Sequence, residues 1–123
     1  MGMPDVSLGP GPFSEAFLQA SELVGKRWTG AIIFAVFHGK ERFADIAATV
    51  PGLSDRLLAE RLKELTEQGV LERHVAEDAP GRPCYRLTHK GLDLRDVMIA
   101  LHRWATKWSQ AAPDQSPGTD TPL

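Results

Sequence analysis

The chain has 123 residues, 42% apolar and 24% charged, with a formal net charge of −2. That is room for one domain, and the mild acidity argues mildly against a DNA binder, although one face can still be basic. A lone cysteine, Cys84, excludes an intramolecular disulfide, and no apolar run approaches the ~20 residues that cross a bilayer. The Gly- and Pro-rich start lacks the basic and apolar regions of a secretory signal, so a cytoplasmic protein without membrane contact is expected.

In chain order, 1–12 reads as a tail. Positions 14–24 predict a helix with Phe17, Leu18, Ser21 and Val24 near one face, broken by Gly25. Positions 27–37 predict a second helix, apolar on most sides and therefore expected to be buried. A short third helix over 42–49 turns Phe43, Ile46 and Ala47 inward, and Pro51-Gly52 marks a turn.

Ser54 is an N-cap candidate for a helix over 54–68. Leu58, Leu62 and Leu65 share one stripe, while Arg56, Glu60 and Lys63 recur on the other side. Gly69 ends the helix where a left-handed residue is wanted. Two short helices joined by a tight turn, then strands over 70–77 and 84–87 with a tip over 79–82, predict a winged helix-turn-helix. Thr88 caps a last helix over 90–108. Its wide stripe includes Leu94, Met98, Leu101, Trp104 and Trp108, more than a small domain needs for its own core. With Phe17 from the first helix, these residues are the expected homodimer interface. A second tail is expected over 109–123. The expected fold class is mainly α with a small β-hairpin (α+β), one domain over 13–108.

Several phrases carry a resemblance. Leu23-Val24-Gly25-Lys26-Arg27-Trp28, Arg42-Phe43-Ala44-Asp45-Ile46, the stretch 52–73 and Tyr85-Arg86-Leu87-Thr88-His89-Lys90-Gly91 together resemble the HxlR-type winged helix transcription regulators, a MarR-like group. The resemblance implies a dimer that binds double-stranded DNA at a pseudo-palindromic operator. Lys26 stands where the family has a second glycine. Redox-sensing members carry a cysteine just before the first helix, and Ser14-Glu15-Ala16 has no thiol there.

On that reading Arg42, Ser54, Arg56, Glu60, Arg61, Lys63 and Arg82 are the candidate DNA contacts. Arg56 near the helix start suits a bidentate bond to guanine. Ser54 with the free first-turn amides suits a phosphate, as do Arg61 and Lys63, and Arg82 suits a minor-groove or backbone probe on the wing. Phe34, Phe37, Trp104 and Trp108 are candidate walls for an apolar or aromatic effector, against the alternative that they pack the core and dimer. The four histidines show no ligand spacing and no nucleophile elbow or phosphate loop is present, so no metal, cofactor or catalysis is expected. The rival reading is a winged-helix protein–protein module without DNA binding.

Overall fold

Side-chain caps and left-handed residues set the helix boundaries. In the computed structural model, which describes residues 13–77 and 80–111, Ser14 accepts a 3.2 Å hydrogen bond from the Phe17 amide and opens α1 (Glu15–Gly25). α2 (Thr29–Phe37), α3 (Phe43–Thr49), α4 (Asp55–Glu67), β1 (Leu71–His74), β2 (Cys84–Leu87) and α5 (His89–Ala111) follow. The tail expected over 1–12, positions 112–123 of the second expected tail, and positions 78 and 79 between the two expected strands lie outside the described residues.

α2 starts two residues later than the sequence predicts. Trp28 holds φ 80, a left-handed conformation rare for so large a side chain, and turns the chain from α1 into α2. Its ring lies against the α3–α4 turn, where a Cβ added to Gly52 would meet it at 3.4 Å. Ile32, Ile33, Ala35 and Val36 of α2 are buried. Ala31 and Phe37 are exposed, so the helix is not covered on all sides as expected.

Ser54 accepts a 3.1 Å bond from the Leu57 amide and caps α4. Leu58, Leu62 and Leu65 are buried, as the spacing predicts. Each such burial contributes ~1.5–3 kcal/mol, which anchors one face of α4 and leaves the opposite face free. Gly69 takes φ 76 and directs the chain into β1.

β1 pairs antiparallel with β2, Leu71 opposite Leu87 and His74 opposite Cys84. The ladder stops at His74 rather than at position 77. Pro83 precedes β2 and has no N–H to continue the pairing. The loop before α3 joins the hairpin instead, through a bridge from Arg42 to Cys84 and a 2.8 Å bond from the Tyr85 amide to the Glu41 carbonyl.

Thr88 Oγ1 accepts a 3.0 Å bond from the Gly91 amide at the start of α5. The first half of α5 packs on the core through Leu94 and Met98. Met98 is 3% exposed, which makes it a core residue of the protomer rather than the expected interface residue. The helix has 23 residues, about 35 Å, and includes positions 109–111 that the sequence reading places in the tail. Among the described residues no helix is long and apolar enough to cross a membrane.

Candidate nucleic-acid interface

The free face of α4 carries Arg56, Glu60 and Lys63. The Arg56 side chain is 90% exposed, and its one ion contact among the described residues is Glu60 one turn on, at 3.6 Å. An exposed pair of this kind is worth only ~0.3–0.5 kcal/mol, so the guanidinium is free to leave it for a better acceptor. The Ser54 oxygen is engaged by its cap and its hydroxyl remains a donor. Lys63 is exposed and forms no ion pair among the described residues.

Two of the expected contacts are turned to other tasks. Arg61 is 15% exposed in its side chain, with Nε donating 3.1 Å to the Arg27 carbonyl and Nη1 3.2 Å from Glu64 Oε1. Glu64 in turn binds Lys26 Nζ at 3.1 Å. Arg61 therefore faces the α1–α2 turn instead of the outer face of α4, and with Lys26 and Trp28 it clamps the helix-turn-helix to that turn. Arg42 donates through Nη1 to the Arg82 carbonyl, so its guanidinium holds the wing loop where it enters β2. Arg82 itself, with Pro80 and Gly81 before it, is exposed.

Lys26, Glu64, Arg73 and Tyr85 are not among the contacts expected from the sequence. Arg73 pairs across the hairpin with Tyr85, and both line a cleft with Lys63. The strand register was the signal that would have found them.

A second surface is apolar. Phe17 and Leu18 of α1 are each 53% exposed, and Leu101, Trp104 and Trp108 of α5 are 49%, 63% and 56% exposed. Isolated exposed apolar residues are ordinary, whereas apolar residues grouped on two helices are a common mark of interaction surfaces. Leu94 is half-buried against the protomer core.

The four expected effector walls do not close around a common space. Phe34 lies edge-on to His102 with centroids 6.0 Å apart, Phe37 packs under Arg95 at 4.5 Å, and both tryptophans point outward along the far end of α5. A groove of about 420 Å³ lies elsewhere, between α1 and α5, with Ala16, Ala20, Leu23, Val24, Leu94 and Val97 in its walls.

Known proteins share this arrangement. A family model described as HxlR-like helix-turn-helix matches residues 23–113. The uncharacterized HTH-type transcriptional regulator YvaP of Bacillus subtilis is 42% identical over 92 residues, 75% of this chain and 85% of that protein. The HTH-type transcriptional regulator YodB of the same organism is 41% identical over 91 residues, 74% of this chain and 81% of that protein. The structure of reduced YodB superposes with a TM-score of 0.71 at 37% identity, covering 84% of this chain and 99% of YodB. Quinone-bound YodB superposes at 0.66 with 38% identity over 77% of this chain and 99% of that one.

Proposed function

Because the chain belongs to the HxlR-like helix-turn-helix family of transcription regulators, we propose that it works as a homodimer on a pseudo-palindromic operator, with α4 in the major groove and the wing on the flanking minor groove or backbone. The observation that carries the reading is the division of α4. One face is anchored by Leu58, Leu62 and Leu65, and the other presents Arg56, held only by an exposed pair. A base-reading side chain must be rigidly based yet free at its tip, because its hydrogen bonds replace those to water. Phe17, Leu101, Trp104 and Trp108 supply the dimer contact, each copy burying its own equivalent patch.

Quinone-bound YodB supports an apolar or aromatic effector for this chain too. The α1–α5 groove is the better-shaped seat, within the ~300–1,000 Å³ usual for small ligands. A ligand there acts on DNA binding only if it distinguishes two splay states of the dimer. The cytoplasm is the expected site of action, and no cofactor or catalytic role is part of the proposal.

Selection from a randomised duplex library tests the reading. It should enrich an inverted repeat whose half-sites lie about one helical turn apart, ~34–36 Å. Failure to enrich any sequence, with affinity independent of salt, would leave a protein–protein module instead.

A further inference from the structure

Between the C-terminal half of α4 and the hairpin lies a cleft of about 270 Å³, walled by Phe43 and Leu62 and edged by Lys63, Glu67, Arg73 and Tyr85. Arg73 and Tyr85 are direct partners across the ladder, so their side chains leave the same face of the hairpin. Leu71 and Leu87, two residues away on each strand, share that face, and Leu71 is buried in the core. The face therefore looks toward α4, and Lys63 meets it from the helix.

The polar groups at this cleft lack partners of their own. Neither Lys63 nor Arg73 forms an ion pair among the described residues. Tyr85 is 9% exposed, and its hydroxyl makes no hydrogen bond among them. Its oxygen is not fully buried, so the hydroxyl is open at the mouth of the cleft to donate to an incoming acceptor. Thr66 is already engaged, donating to the Leu62 carbonyl at 2.7 Å. Three donors, two of them cationic, thus converge on an apolar-walled space, and Glu67 is the one carboxylate at its edge. The chemistry that satisfies them is a small anion with several acceptor oxygens.

We propose that this cleft seats a backbone phosphate of the bound DNA, held by Arg73 and Lys63 with the Tyr85 hydroxyl as third donor. The proposal rests on the DNA-binding reading and adds to it a contact that fixes register. A phosphate gripped between α4 and the wing sets how deeply and at what angle the helix enters the groove, while carrying no sequence information. It also assigns Lys63 a partner residue, Arg73, on a different element.

The test is the salt dependence of binding to a mixed-sequence duplex, with the full-length protein. Arg73→Ala and Lys63→Ala should each flatten the log–log salt slope by about one unit per subunit. Arg73→Lys should restore the slope. Tyr85→Phe should weaken binding about two- to ten-fold at unchanged slope, as loss of one neutral hydrogen bond does. A parent slope in Arg73→Ala overturns the phosphate seat. A rise in melting temperature with millimolar inorganic phosphate, lost in Arg73→Ala while the DNA slope stays at the parent value, makes the cleft a free-anion site and overturns it too. A parent protein that binds no duplex defeats the DNA-binding reading itself, and that arm is measured first.

Discussion

Gly91→Ala sets two effects of opposite sign against each other. In a helix, alanine in place of glycine is favoured by ~1 kcal/mol through backbone entropy. Here a Cβ on Gly91 would stand 2.2 Å from the Val70 carbonyl oxygen and 3.0 Å from Leu87 Cδ2. That oxygen cannot retreat freely. It accepts a 3.1 Å bond from the Thr88 amide, and Thr88, whose Oγ1 donates to the neighbouring Gly69 carbonyl, also caps α5. The carbon is therefore more than ~1 Å inside ordinary contact with backbone. Relief requires α5 to lift from the root of the wing. Overpacking costs ~1–3 kcal/mol and more where backbone must move. At the upper end, less the helix gain, the net loss is about 2 kcal/mol. For a domain of this size that lowers the melting temperature by about 8–16 °C. Thermal melts followed by far-UV circular dichroism, at one protein concentration because a dimer's stability depends on it, give the answer. A melting temperature at or above the parent's would show that helix propensity wins and that α5 is not seated on the Val70 carbonyl as described.

Replacing Leu101 and Trp104 together with Asp should convert the proposed dimer to a folded monomer, because both side chains are about half exposed or more in the protomer; sedimentation equilibrium reads this, and a monomeric parent at micromolar concentration would refute the interface. Cys84→Ser should leave DNA binding unchanged with and without peroxide or diamide, since Cys84 sits half-buried at the start of β2 beside Arg42 and the chain has no second thiol; oxidant-dependent release in the parent that vanishes in the variant would contradict it. Arg61→Ala should lower stability by ~1–2 kcal/mol in urea denaturation through loss of its charge-assisted bonds, with the salt slope for DNA unchanged. A slope flattened by one unit at parent stability would make Arg61 the phosphate contact that its sequence position suggests.

What the sequence made legible follows from how local each signal is. Ser54, the leucine spacing and Gly69 act within one helix, and α4 forms where they place it. Trp28 shows the opposite case. Nothing in a tryptophan announces φ 80, and the conformation holds because its ring is seated against Gly52 and the neighbouring Arg27 carbonyl is taken by Arg61. Arg61 and Lys63 look alike along the chain, yet a shift of two residues around the helix sends one inward and leaves the other outside. Met98 lies on the same apolar stripe as Leu101, yet it packs against α2 beside Gly30 while Leu101 stays half exposed. Gly91 was visible as part of a phrase. Its reason, the approach of the Val70 carbonyl, is a contact between elements 21 residues apart. Arg73 and Tyr85 needed the strand register before they could be seen as neighbours.

The central claim is that α4 reads bases through Arg56, and a base-by-base affinity scan of the selected half-site tests it most directly. Each position is changed in turn and bound by the parent and by Arg56→Ala. Arg56 is almost fully exposed and lies opposite the buried leucines, so its truncation should leave stability within ~0.5 kcal/mol. The account predicts that Arg56→Ala loses discrimination worth ~1–3 kcal/mol at one base pair of each half-site and keeps the parent profile at the others. Profiles that differ by a uniform offset at every position would show that Arg56 binds backbone alone, and the reading of α4 as the specificity element would be wrong.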